Sequence, residues 1–214
     1  LARSLTANPI GWLQHYSPSA RMVKWGWCLF ILIVEILLST SANDLYDAQT
    51  GLGFILLLGL AFSATGSFRN ELETGAFELL LVTPLRERQI IFGRLRGLWQ
   101  QFFPAIAISG AGSIYMASGW AASDTAQKAW LALAGTLSAF CVLPVVGLYF
   151  SALRLNFFVA WVLACFAGLE PALLATVLGI ALPGVVIVQF LVGLTAGCLL
   201  EARLHNRESL APSS

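Results

Sequence analysis

The chain has 214 residues, of which 58 % are apolar and 11 % charged, and its formal net charge is +1. Soluble domains carry about 25 % charged residues, so a water-soluble globule is excluded, and cations spread between apolar runs leave no footprint for nucleic acid. About 20 apolar residues cross a bilayer as a helix, so the length holds at most about six spans in a single membrane-embedded domain over 1–214.

A start at Leu1 fits a fragment or one half of a longer protein, and no short apolar run with a small-residue cleavage site follows a basic beginning, so no signal peptide is expected. In the arm 1–20, Asn8-Pro9 and Ser17-Pro18 each pair a capping residue with a proline at the first helical position, which predicts two helix starts. Ile10, Trp12, Leu13 and Tyr16 suit a short interfacial helix lying among lipid headgroups. Six apolar stretches follow, at about 22–40, 50–68, 95–118, 129–150, 157–180 and 184–200, and each is predicted to span as a helix. Between them lie 41–49, the long gap 69–94, 119–128, 151–156 and a Pro183-Gly184 turn.

Trp25, Trp27, Trp99, Trp120 and Trp130 fall near predicted span ends and are read as interfacial anchors. Cys28, Cys141, Cys165 and Cys198 lie inside apolar segments with no CxxC and no nearby His, and are read as small buried hydrophobes, not metal ligands or a disulfide framework.

Short loops rich in Lys and Arg stay cytoplasmic. One set of alternate loops holds Arg3, Arg21, Lys24, Arg69, Arg86, Arg88, Arg94, Arg96, Arg154, Arg203 and Arg207, and the other holds only Lys128. This asymmetry predicts a multi-pass protein of the plasma membrane, with both termini and the loop 69–94 in the cytoplasm.

That loop differs from its surroundings by being amphipathic. At about 100° per residue Phe68, Leu72, Ala76 and Leu79 share one side while Glu71, Thr74 and Glu78 form an acidic stripe, and Phe77 and Leu81 are left to face something else. Thr83-Pro84 stops this helix and caps the next, because proline disfavours helical geometry in the residue before it. Leu85, Ile90, Ile91 and Leu95 then alternate with Arg86, Arg88, Arg94 and Arg96, which predicts a helix sliding along the inner leaflet before turning into the third span. Each arginine there gains about 1 kcal/mol from anionic headgroups. Read without further knowledge, the loop is either a docking helix or a plain connector.

The run Arg69-Asn-Glu-Leu-Glu-Thr-Gly-Ala-Phe-Glu-Leu-Leu-Leu-Val-Thr-Pro-Leu85, with Ile90-Ile-Phe-Gly-Arg94 after it, resembles the loop between the second and third spans of type-2 ATP-binding cassette (ABC) exporter permeases. The resemblance implies an all-α polytopic domain of six transmembrane helices with an N-terminal interfacial helix. It also implies pairing with a second permease half, as homodimer or heterodimer, and drive from a separate ABC ATPase subunit that binds the ATP. By position, the coupling helix that docks on the ATPase is Glu71, Glu73, Gly75, Phe77, Glu78, Leu81, Thr83, Pro84 and Leu85. Many members carry short re-entrant helices between the fifth and sixth spans, for which this chain offers only the stretch from Glu170-Pro171 to Pro183-Gly184.

A phosphate-binding loop needs clustered glycines followed by Lys and Ser or Thr, and neither Lys24 nor Lys128 follows a glycine. His15 and His205 lie in the tails, no HExxH motif occurs, and Ser67, Ser109 and Ser113 beside glycines are read as helix-packing residues. No catalytic residue, cofactor or metal ligand is therefore expected. An ionised acid at mid-bilayer costs roughly 2.5–3.5 kcal/mol, so Glu35 and Glu170 are candidates for substrate path or gating. Pro171 is expected to break the helix beside Glu170. Gln100 and Gln101, with Pro104, are candidates for a kinked polar lining. The sequence thus reads as an exporter permease subunit with an unspecified substrate, contacting membrane lipids; the alternatives are a secondary transporter and a non-transporting membrane scaffold.

Overall fold

The computed structural model describes residues 18–40, 45–69, 87–119, 124–153, 155–177 and 182–205. Among these there are six helices and no strands: α1 (Pro18–Thr40), α2 (Leu45–Thr65), α3 (Glu87–Gly119), α4 (Asp124–Ser151), α5 (Phe157–Val177) and α6 (Leu182–His205). The expected interfacial helix in the arm lies outside the described residues. At 1.5 Å per residue every helix is about 30 Å or longer, enough for a hydrocarbon core.

Helix boundaries follow local chemistry. Pro18 opens α1, where its missing N–H costs nothing, and the Asn156 carbonyl accepts from Ala160 N at 2.9 Å to start α5. Pro183 and Gly184 sit in the first turn of α6 and not in a loop, again because proline fits a helix start. Only residues 178–181 remain between α5 and α6, too few for a pair of re-entrant helices. The break expected at Glu170-Pro171 does not form, since α5 runs through it to Val177. Nor does a sliding helix turn into the third span: Glu87–Gly119 is one helix of 33 residues, about 50 Å long.

Successive helices run antiparallel. Trp27 meets Phe102 and Glu35 meets Gly112, so α1 and α3 are parallel. Along α2 and α4, Gly53 faces Thr136, Ala64 faces Gly147, and Phe68 reaches Ser151 in the same order, so these too are parallel. Trp161 on α5 meets Leu58 while Phe157 meets Phe62, the reverse order, and Gln189 and Gly193 on α6 follow Ser138 and Val142 on α4. Arg21, Lys24, Arg69, Arg88, Arg94, Arg96 and Arg203 therefore collect at one end of the bundle and Lys128 at the other.

Helix α4 is the centre, packed against α2, α3, α5 and α6, and Phe140, Leu143, Val146 and Leu148 are all buried. Small residues let it approach its neighbours. A Cβ on Gly147 would lie 2.5 Å from the Ala64 Cβ, and one on Gly168 would collide with Leu143. Pro144 sits inside α4 and cannot donate to the carbonyl four residues back. That carbonyl belongs to Phe140, and the Trp99 indole N–H donates to it at 3.2 Å. Trp99 is thus a satisfied packing residue and not a headgroup anchor, and Trp27 likewise packs on Gly59 and Phe102; Trp25 and Trp130 are exposed. Of the cysteines only Cys28 is buried, whereas Cys141 and Cys198 are exposed, because helix rotation turns the α4 and α6 thiols outward.

Three helical segments are long and apolar enough to cross a membrane by length and composition: Ala48–Thr65, Ala132–Ser151 and Val186–Leu204. Phe157–Leu169 in α5 is a shorter apolar helix. The other two helices carry more polarity: α1 contains Arg21, Lys24 and Glu35, and α3 contains Arg94, Arg96, Gln100 and Gln101. Broad apolar faces point outward, among them Leu29, Ile33 and Leu37 on α1 and Ile187, Leu191 and Leu194 on α6, as expected of helices solvated by lipid tails.

Candidate functional site

Two buried polar arrangements sit at opposite ends of the bundle. At the basic end, α2 closes with a turn in which Gly66 N donates to Phe62 O and Ser67 N to Ala64 O, both at 3.1 Å. Phe68 is then fully buried, and its backbone N–H donates to Ser151 Oγ at 3.0 Å. Arg94, only 3 % exposed, donates from Nη1 to the Ser67 carbonyl and, at 2.9 Å, to Ser67 Oγ. Its guanidinium lies 4.2 Å from the centre of the Phe68 ring, where the ring face attracts a cation. Next to it Arg69 covers the Phe157 ring on α5 at 5.6 Å. This joint ties the end of α2 to the start of α3, the end of α4 and the start of α5.

The joint matters because residues 70–86 leave from it at one side and return into α3 at the other. The nine candidate docking residues, Glu71, Glu73, Gly75, Phe77, Glu78, Leu81, Thr83, Pro84 and Leu85, all lie in that segment, outside the described residues.

At the other end the Glu35 carboxylate of α1 accepts from Gln49 Nε2 at 2.8 Å. The same nitrogen lies 2.8 Å from the Ser109 carbonyl and 3.3 Å from Ser109 Oγ and Ser113 Oγ on α3. Ser113 Oγ itself donates to the Ser109 carbonyl at 3.0 Å. Gln49 is 7 % exposed, and its carbonyl oxygen Oε1 has no hydrogen-bond partner among the described residues. Gly112 makes room for the carboxyl group, since a Cβ there would lie 2.5 Å from Glu35 Oε2. One glutamine thus fastens three helices.

Of the other sequence candidates, Gln100 and Gln101 are half-buried on α3, about two helical turns or more from Ser109, and do not join Glu35. Glu170 lies on α5, but its side chain falls outside the described residues. Gln49 was assigned to a loop by the apolar count, and it instead belongs to the first turns of α2. Its signal was an isolated amide at the edge of an apolar run. A second buried amide, Gln189, accepts from Ser138 Oγ and donates to the Gly168 carbonyl at 3.4 Å, linking α4, α5 and α6. Among the described residues no three of His, Cys, Asp and Glu gather to hold a metal ion.

In comparisons with known proteins, no family model, no curated protein and no solved structure matches this chain.

Proposed function

We propose that the chain is the permease subunit of a type-2 ABC exporter, with six spans, a cytoplasmic basic end, and a second permease half as its partner. The observation that carries this reading is the joint: both roots of the segment 70–86, with its acidic residues and Thr83-Pro84, belong to the basic end, and one root is held by buried Arg94 and Ser151. A connector with no load to bear has no need of such an anchorage. The basic residues gathered at that end favour its cytoplasmic placement.

The mechanism is mechanical. Closure of two ATPase subunits on ATP presses the elbow at Thr83-Pro84, and the joint hands the displacement to α2, α3 and α4 together. Rotation of α1 and α2 against their counterparts in the second half then opens the path outward. Energy comes from the partner, since the chain carries no phosphate-binding loop.

The test is co-expression with the ATP-binding subunit encoded nearest to it. Reversing the charges of Glu71 and Glu78 together with Phe77→Ala is expected to abolish co-purification of that subunit while membrane insertion persists. Undiminished co-purification refutes the assignment.

A further inference from the structure

We propose that Glu35 and Gln49 form a proton-binding site that fastens α1 to α2 and α3. The argument starts from the orphaned acceptor. Gln49 has two N–H bonds, and Glu35 Oε1 and the Ser109 carbonyl, both at 2.8 Å, account for them. Turning the amide over would bring its oxygen against the Ser109 carbonyl, so the orientation is fixed by α3. Among the described residues Gln49 Oε1 is then buried with no donor, on a side chain whose nitrogen holds the carboxyl group that Gly112 makes room for. A buried acceptor without a donor is costly.

One proton removes this cost. Taken from water onto the free oxygen of Glu35, it gives an O–H that donates to Gln49 Oε1, while Gln49 Nε2 continues to donate to Glu35 Oε1. The result is a reciprocal acid–amide pair with its donors and acceptors matched. When the proton returns to water, the pair keeps one bond, Gln49 Oε1 is again without a donor, and the ionised carboxylate is drawn toward solvent. The outer half of α1 is therefore held when the site is protonated and released when it is not.

The titratable residues at that end are Tyr46 and Asp47 on α2, the exposed Tyr115 on α3, and Asp124 and Lys128 on α4, which packs against both. On α1 itself the nearest cation is Lys24, three turns away at about 16 Å.

The inference does not depend on the exporter reading, and infrared spectroscopy of the purified chain in lipid nanodiscs tests it. At neutral pH the Glu170→Gln chain should show the carbonyl stretch of a protonated carboxylic acid, above the amide I band, shifting down in heavy water and vanishing on alkalinisation. Adding Glu35→Gln should remove it. A chain without such a band, or one whose band survives Glu35→Gln, overturns the proposal. Should Glu35→Gln not fold, Gln49→Leu decides: the band must rise in frequency because the acid has lost its amide partner, and an unmoved band refutes the pairing. Thermal melts give a second reading. A glutamine at 35 donates to Gln49 Oε1 at every pH, so the melting temperature of wild type relative to Glu35→Gln should fall as pH rises; a constant difference refutes proton linkage.

Discussion

Replacing Trp99 by Phe isolates the contact that repairs the proline in the central helix. Two losses are expected. The Phe140 carbonyl, on a residue 7 % exposed, loses the Trp99 indole as its donor, and a buried acceptor left unmatched costs about 1–3 kcal/mol. Trimming an indole to a phenyl ring removes on the order of 40 Å² of contact, about 1 kcal/mol. The sum is about 2–4 kcal/mol. Pro144→Ala restores an N–H at position 144, which donates to the Phe140 carbonyl within the helix and makes Trp99 dispensable as a donor. In that background Trp99→Phe should cost only the packing component, about 1 kcal/mol, leaving a coupling of about 1–3 kcal/mol between residues 45 positions apart. Equilibrium unfolding in mixed micelles with increasing sodium dodecyl sulfate, followed by far-ultraviolet circular dichroism, measures all four corners of the cycle. Equal costs for Trp99→Phe in both backgrounds would refute the carbonyl-repair argument.

Three further outcomes follow from the packing. Gly147→Ala puts a methyl group 2.5 Å from the Ala64 Cβ and should destabilise by about 1–3 kcal/mol, whereas adding Ala64→Gly should recover most of it in the same unfolding assay; additive losses would show that the α2–α4 seam is not that tight. Ser151→Ala removes the hydroxyl to which the buried Phe68 N–H donates and should cost about 0.5–1.5 kcal/mol, and limited proteolysis within 70–86 should become faster; unchanged cleavage would deny the joint its anchoring role. Maleimide labelling in micelles should modify Cys141 and Cys198 before Cys28, which becomes reactive only on unfolding; early labelling of Cys28 would contradict the packing of α1.

Much of this architecture was legible along the chain because lipid makes hydropathy nearly one-dimensional. A run of apolar residues must satisfy its own backbone, and a helix is the local way to do so, so all six helices lie where the apolar stretches are. Their ends were less legible. Arg88, Arg94 and Arg96 suggest a separate surface helix, yet one helix runs through them to Gly119, since no proline between Glu87 and Leu95 interrupts it. At Glu170-Pro171 the local rule for proline was correct in kind and outweighed in effect: α5 continues, as membrane helices often do when neighbours accommodate the bend.

Composition-driven facts were legible along the chain: the helical class, the places of the six helices found among the described residues, the segregation of cations, and the presence of Glu35 as an acid in an apolar setting. Each depends on residues close together in the chain or on sums over it. Which lone polar groups meet was set by the packing. Glu35 finds Gln49 across 14 positions, Ser109 joins across 60, and Phe68 finds Ser151 across 83. Likewise the carbonyl released by Pro144 is answered from Trp99 on another helix. Such pairings are set by helix rotation and close approach at small residues, and in a medium without water a polar group takes whichever partner the packing brings within reach.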